Sequence, residues 1–407
     1  MGETILVVNA GSSSIKFQLF ERLAEDRLEL EFKGQMEGIG TRPHLLAKDA
    51  AGKVLIENSY EPGQVASVRG ALDRLADWLV AQLGGVEPTV IGHRVVHGGP
   101  TFSAPVLIDE AVLTELETLV PLAPLHQPNN LAPIRAIRER HPDVPQVACF
   151  DTAFHRHHPE VADRYAIPDA YYRDGVRRYG FHGLSYEYVA QRLTELDPAL
   201  ARGRVVVCHL GSGASMCAIQ AGRSMDSTMG FTAVDGLPMG TRTGQLDPGV
   251  VLYLVQGKGF DAKQIERFLY HDGGLKGLSG VSNDMRELQA SDVPAARLAI
   301  EYFVYRIVRE AGALAAAMGG IDGLVFTAGI GERSAEIRAA VVQSLAWLGL
   351  ELDPAANQTH GPLISAISSQ IKAYVIPTNE ELMIAHHALR LIPAGPGSVA
   401  EGRRADA

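Results

Sequence analysis

The sequence predicts an α/β protein built from two related domains. Short apolar runs of strand character alternate with helix-period segments along the whole chain, which is the pattern of strands covered by helices. The stretch ILVVNAGSSSIKFQLF (Ile5–Phe20) is also echoed by VVVCHLGSGASMCAI (Val205–Ile219). In both, an apolar strand reaches a turn of small residues and a second strand leaves it. Asn9 corresponds to His209, Gly11 to Gly211 and Ser12 to Ser212. Two ordinary glycine hairpins would leave the same trace. The sharper reading is two domains facing one another across a cleft, each giving one turn to a shared phosphate site. A chain of 407 residues is too long for one ordinary core, which agrees with this.

The elements follow from periodicity. After the first turn, Ile15, Phe17 and Leu19 alternate with Lys16 and Gln18, so the limb leaving the turn is a strand rather than a helix. Buried strands are expected at ETILVV, TVIGHRVV, PQVACF, GRVVVCHL, GLVFTA and KAYVIP. Leu72, Leu75, Ala76, Leu79 and Leu83 form one helical face. A second helix is expected over Pro294–Met318, with a stripe through Leu298, Phe303, Ile307, Ala311 and Leu314 and a proline suited to its first turn. The tail PAGPGSVAEGRRADA is expected to fray.

Composition excludes several classes. A net charge of −10 argues against nucleic acid, whose binders carry a basic face. No apolar run reaches the ~18–20 residues of a membrane span. The start MGETILVV has neither a basic n-region nor a cleavage site, and Leu6 breaks the myristoylation pattern. Cys149, Cys208 and Cys217 are odd in number and form no C-x-x-C pair, so neither a disulfide framework nor a zinc site is expected and a reducing cytoplasm is the default.

Chemistry-bearing residues concentrate in glycine-rich, apolar surroundings. No P-loop or dinucleotide fingerprint is present. Small turns still let backbone N–H groups approach phosphate. Ser12, Ser14 and Lys16 share strand parity and so one face. A third turn, GLVFTAGIGERSAEIR, runs from strand to turn to helix, with Ser334 as the expected N-cap; its alternative is a generic βα turn. Arg94 and Arg242 sit in apolar, glycine-flanked sequence, as buried ion-pair members or as an anion clamp. His182 and His126 lie in similar settings, whereas His93, His97, His209 and His360 read as structural. FHRHHPE clusters His155, His157 and His158, but without helical i, i+4 spacing it is a poor metal site. Asp151 and Glu380 each follow a strand, where α/β proteins place functional carboxylates.

Taken together, NAGSSSIKF, GHRVVHGG, PLAPLHQPNN, FDTAFH, RRYGFHG, DSTMGFT, MGTRTGQLDPG, TAGIGE and PTNEEL resemble the motifs of the acetate kinase family, in its order, from about Glu3 to Arg390. The resemblance implies two duplicated ribonuclease-H-like (actin-like ATPase) domains flanking a nucleotide cleft. The expected division is 1–151 plus 382–407, with a returning C-terminal helix, and 152–381 for nucleotide. It implies a cytoplasmic homodimer that transfers phosphate from ATP to acetate, giving ADP and acetyl phosphate, with Mg²⁺ or alternatively Mn²⁺. Asn9 and Glu380 would organise the metal. Lys16, with Ser12 and Ser14, would meet the nucleotide phosphates. His209, Leu210, Gly211, Ser212 and Gly213 would hold ATP. So would Asp284, Met285 and Arg286, and the run Gly329, Ile330, Gly331, Glu332 and Arg333. Arg94 and Arg242 would hold the carboxylate and the transferring group, His182 would stabilise that group with His126 near it, and Asp151 would be the catalytic acidic residue. Val96, Leu125, Phe181 and Ala233 would line the acetate pocket. Ser212, Met285 and Arg333 depart from the family's common Asn, Phe and Asn. Ala233 stands where proline is common and leaves room for one more methylene, so propionate is an expected side substrate. The rivals are a propionate or butyrate kinase of the same fold, a chaperone or filament ATPase, and a non-catalytic nucleotide sensor.

Overall fold

The computed structural model describes residues 3–11, 13–24, 27–124 and 126–392. The chain divides into two compact units. One comprises Met1–Val96, Ala104–Cys149 and Glu381–Ala407, the other His97–Ser103 and Phe150–Glu380.

The first unit is organised on an eight-stranded sheet. Its strands are β1 (Thr4–Ala10), β2 (Ser14–Arg22), β3 (Leu28–Glu37), β4 (His44–Asp49), β5 (Val54–Ser59), β6 (Val90–Val95), β7 (Val106–Leu107) and β8 (Gln146–Phe150). The order is β5-β4-β3-β2-β1-β6-β8-β7. β1 to β5 form an antiparallel meander, and β6 joins β1 in parallel. Strict alternation in β1 and β2 sends Leu6, Val8, Ala10, Ile15, Phe17 and Leu19 to one face, where they form the core. The helix Val68–Gln82 covers that face with Ala71, Leu72, Leu75 and Leu79, while Ala76 and Leu83 of the expected stripe are only partly buried. The Ser67 hydroxyl caps it by accepting from Gly70 N–H at 3.2 Å. Trp78 packs edge-on to Phe32 at 5.3 Å and tilts against Phe17 at 5.7 Å. Each fully buried large apolar side chain here contributes about 1.5–3 kcal/mol, so truncating Leu75 to Ala opens a void costing about 2–5 kcal/mol. On β6, a Cβ at Gly92 would lie 2.5 Å from Ile384 Cγ2 of the helix Glu380–Leu391. Glycine there is what lets the C-terminal helix lie against the strand.

The second unit carries a five-stranded sheet: β9 (Arg204–Leu210), β10 (Ala214–Gln220), β11 (Arg223–Ser227), β12 (Gly323–Thr327) and β13 (Lys372–Val375), in the order β11-β10-β9-β12-β13. β9, β10 and β11 are antiparallel, while β12 and β13 run parallel to β9. The order β3-β2-β1-β6-β8 in the first unit has the same form. The echo between Ile5–Phe20 and Val205–Ile219 is therefore a repeat of topology. The helix Gly183–Leu196 buries Tyr186, Val189, Ala190 and Leu193 against Val205, Val207, Cys217, Ile219 and Val325. The helix Pro294–Ala317 packs on β9, β10 and β11.

Two expectations need correction. In Pro294–Ala317 the buried stripe is Ala296, Ala299, Phe303, Ile307, Ala311 and Leu314, and Leu298 is 58% exposed. The seam uses small alanines at the 3–4 spacing, which turns Leu298 outward. Gly329 and Gly331 lie inside a short helix, Ala328–Arg333, that begins directly at the end of β12, not in an open turn. Ser334 does cap the helix Ala335–Ser344, accepting from Ile337 N–H at 3.3 Å.

Candidate active site

In the first unit the predicted residues gather at the ends of β1, β2 and β6. Asn9 pairs with Lys16 across the β1–β2 hairpin, which Gly11 N–H closes by donating to Ser14 O at 2.8 Å. Ser14 and Lys16 share one face, and the Lys16 ammonium is exposed. Arg94 is half-buried on β6, between buried His93 and Val95. His126 precedes the helix Gln127–Arg140. Asn130 on that helix ties the strand ends together. Its Oδ1 accepts from Val96 N–H at 2.9 Å and its Nδ2 donates to Ala10 O at 2.7 Å. Sequence reading gave Asn130 no role, although it lies inside the quoted PLHQPNN. Ser12 and Leu125 lie outside the described residues.

Asn9 Nδ2 lies 3.5 Å from Glu381 Oε1. The carboxylate beside Asn9 in this unit is therefore Glu381, while Glu380 begins the same helix within the second unit. Among the described residues no group of three His, Cys, Asp or Glu side chains is arranged to hold a metal. An ion bound chiefly through substrate phosphates needs only one or two protein oxygen ligands. An Asn carbonyl and a carboxylate are the hard donors that Mg²⁺ takes, so the set fits.

The second unit holds the rest. Asp151 follows β8, is 2% exposed, and accepts from Gly183 N–H at 2.8 Å through its backbone carbonyl. A Cβ at Gly183 would lie 2.3 Å from that oxygen, so the turn admits only glycine. His182, the residue before, has φ 59°, a left-handed conformation histidine tolerates better than most residues. Phe181 is buried, its ring 5.7 Å from that of His97. His182 Nδ1 lies 2.8 Å from Ser215 Oγ, and Tyr186 OH meets the same oxygen. Burial pushes the Tyr186 phenol well above its ordinary value, with the nearby Cys217 thiol adding to the effect. The phenol thus keeps its proton and is able to donate it to Ser215 Oγ.

The other residues converge on the small turn Gly211–Gly213 between β9 and β10. A Cβ at Gly213 would lie 3.3 Å from His182 Nε2 and 3.9 Å from Arg242 Nη1, so imidazole and guanidinium both reach the turn. Arg242 Nη1 donates to Ala233 O at 3.1 Å. Gly240 N–H donates to Ser212 O at 3.2 Å. A Cβ at Gly211 would touch Ala328 Cβ at 3.7 Å, which brings the helix holding Gly329, Ile330, Gly331, Glu332 and Arg333 alongside. Asn283 packs on Gly240 and so brings Asp284, Met285 and Arg286 to the same rim. Asp284 caps the helix Met285–Gln289, and its ion pair with Arg286 holds its carboxyl down at about 2.

Sequence reading missed one anchor of this rim. Arg338 is fully buried and donates to Gly331 O and Glu332 O, both at 2.9 Å, and to Asn357 Oδ1 at 2.8 Å and Asn357 O at 2.7 Å. Its signal was an arginine on the apolar side of a helix whose neighbours are Ile337 and Val341.

The acetokinase family profile matches residues 4–386. The acetate kinase of Nitrobacter hamburgensis is 60% identical over 390 residues, covering 96% of each chain. That of Rhizobium meliloti is 57% identical over 392 residues, covering 96% of this chain and 99% of its own. Among solved structures, a propionate kinase from Francisella tularensis superposes with a TM-score of 0.89 at 37% identity, covering 96% of this chain and 100% of that one. The Porphyromonas gingivalis acetate kinase gives 0.86 at 36% with the same coverage. Ordered motifs, duplicated sheets and relatives matched end to end agree, and the chain belongs to the acetokinase family.

Proposed function

We propose that the chain catalyses reversible phosphoryl transfer from ATP to acetate, giving acetyl phosphate and ADP, by direct in-line transfer. The observation that carries this reading is the convergence of His182 Nε2 and Arg242 Nη1 on the Gly211–Gly213 turn. A neutral donor and a cation sharing a turn with no side chain in the way suit a phosphoryl group spread over three oxygens.

The reactants are both anionic, so the residues must offset repulsion and align the groups. Arg94, Lys16 and Arg242 supply the positive charge, and Arg94 and Arg242 bind the carboxylate and the transferring group. With Tyr186 donating to Ser215 Oγ, the Ser215 hydroxyl donates to His182 Nδ1. Nε2 then carries the proton and donates to the transferring group. The acid's carboxyl pKa is roughly 4.3, so at pH 7 the nucleophile is already ionised and needs no base. Asp151 serves to orient its neighbours. Mg²⁺, organised by Asn9 and Glu380, would offset phosphate charge. Ala233, whose carbonyl receives Arg242, leaves room for propionate as a side substrate, and the likeness to a solved propionate kinase favours this.

Assembly as a homodimer is part of the proposal. The helix Pro248–Lys258 reads PGVVLYLVQGK and buries none of its residues within the chain, with Leu252 and Tyr253 56% and 57% exposed. An apolar helix of this kind marks an interaction surface. No helix among the described residues is long and apolar enough to cross a membrane.

Hydroxylamine trapping of the acyl phosphate with ATP and C2, C3 or C4 acids tests the reaction. Trapped product is expected to be greatest with acetate, smaller with propionate and least with butyrate. Retained ATP binding with no acyl phosphate from any of them would sink the reading.

A further inference from the structure

The sequence FHRHHPE, set aside as a metal site, forms a buried polar cluster beneath the turn that carries His182. His155 Nε2 lies 3.0 Å from Phe181 O. A carbonyl only accepts, so this nitrogen bears the proton. His155 Nδ1 must then accept, and it does so from Ser224 Oγ at 2.8 Å. Ser224 Oγ in turn accepts from His158 Nε2 at 2.5 Å, with Cys217 Sγ 3.2 Å away. His158 Nδ1 faces Asp163 Oδ1 at 3.7 Å. Arg156 completes the ring, with Nη1 3.4 Å from Asp163 Oδ2 and Nη2 donating to Arg178 O at 3.0 Å and Tyr179 O at 3.2 Å.

The side chains of Arg156, His158 and Asp163 are at most 8% exposed, and His155 is fully buried. Burial also drives the His155 pKa well below its ordinary value, with His158 opposing a second charge, so the ring stays neutral. The fit extends to the backbone. Gly180 has φ 73°, and a Cβ there would lie 2.6 Å from the His155 ring. The cluster thus holds the carbonyls of Arg178, Tyr179 and Phe181, and the next residue is His182.

We propose that His155 and Arg156 are positioning residues for His182. Their grip on the three carbonyls sets where the His182 ring sits, and the Ser224–His158 relay fixes the His155 tautomer that makes the grip. This rests on the role given above to His182 in phosphoryl transfer.

Two substitutions in the full chain separate positioning from stability. His155→Gln keeps an N–H near the place of Nε2, whereas His155→Asn keeps only a polar atom near Nδ1. The geometry predicts that His155→Asn lowers kcat for acyl phosphate formation by about 100-fold and leaves the KM for ATP within about twofold, because a small misplacement costs rate more than binding. His155→Gln should keep kcat within about tenfold of the wild type at a similar melting temperature. Equal losses in the two variants, in step with their melting temperatures, would overturn the positioning role. Should either variant fail to fold, nitrogen-15 spectra of the wild-type imidazoles decide the relay. An Nε2–H tautomer for His155 between pH 6 and 8 is expected, and an Nδ1–H or doubly protonated ring would overturn it. A wild-type enzyme that makes no acyl phosphate would instead remove the kinase reading and leave the spectra to judge the relay alone.

Discussion

The rings of His182 and His209 lie stacked, 4.1 Å between centroids and 15° from parallel. Each is held by a serine on its Nδ1, Ser215 for His182 and Ser185 for His209, both at 2.8 Å. The stack and the serines leave His182 Nε2 one direction, toward the Gly211–Gly213 turn. Ser215→Ala removes the hydroxyl that meets His182 Nδ1. Its kcat is expected to fall about tenfold, and that of His182→Ala by about 100-fold or more, as for loss of a transition-state donor. Steady-state kinetics on purified variants check this. A Ser215→Ala enzyme with unchanged kcat would remove the hydroxyl from the mechanism.

Ala233 should control acid length. Ala233→Pro adds bulk beside the Arg242 guanidinium and keeps the carbonyl that accepts from it. The ratio of kcat/KM for propionate over acetate is expected to drop about tenfold, the value of one methylene in a fitted pocket. A ratio unmoved by the substitution would place the specificity elsewhere.

Arg338 should matter to nucleotide without touching it. Arg338→Met strips donors from Gly331 O, Glu332 O and Asn357. Buried carbonyls left unpaired cost about 1–3 kcal/mol each, so a loss of about 3 kcal/mol is expected in urea unfolding, together with a higher KM for ATP. Arg338→Lys should not restore it, because an ammonium cannot span the same acceptors. Full stability in the lysine variant would contradict the fork geometry.

Stability should fall on the acid side through His93. Its ring is buried and its Nε2 donates to Gln146 Oε1 at 2.8 Å, while Gln146 Nε2 donates to Ile134 O. Burial lowers its pKa to about 4, against 6.5 for the unfolded chain. Above pH 6.5 neither state binds the proton and the ring contributes no slope. Between 6.5 and 4 the unfolded chain takes the proton and the folded one does not, so stability declines by about 3 kcal/mol across that window. His93→Gln retains a donor for Gln146 and removes the titration. Urea midpoints at pH 7, 6 and 5 should therefore decline less steeply in the variant. Identical slopes would show that His93 does not titrate as described.

The exposed helix Pro248–Lys258 should be the association surface. Leu252→Glu places a charge where burial between copies needs an apolar side chain. Light scattering is expected to give a dimer for the wild type and a monomer for the variant at micromolar concentration. A dimeric variant would move the interface to another face.

Much of this was legible from the chain because period and punctuation agree in the cores. β1, β6, β9 and β12 are apolar runs bounded by turns, and each formed where expected. β3, β4 and β5 were not foreseen. LELEFKGQME, HLLAKD and VLIENS place charges on the open face and at the sheet edge, so their apolar half is too thin to stand out. The site was legible where glycines and arginines marked it. The supports Ser215, Ser185, Asn130 and Arg338 were not, because a single polar residue declares its partner only after strands distant in sequence are paired. His209, read as structural by composition and as an ATP contact by motif, stacks on His182, a relation that no spacing encodes.

The Gly92–Ile384 contact bears on how the chain matures. The strand that offers Gly92 is made early, but the helix that must lie on it is among the last described segments to leave the ribosome. Between them comes the whole run Phe150–Glu380, an uninterrupted stretch with its own sheet and core. During vectorial synthesis that inserted unit has all its parts first. The domain begun by the first strands waits, with one flank of β6 uncovered, until the helix Glu380–Leu391 has been made. A premature stop shortly before Glu381 would therefore yield a chain whose late-encoded unit can fold while its earliest-encoded one cannot be completed.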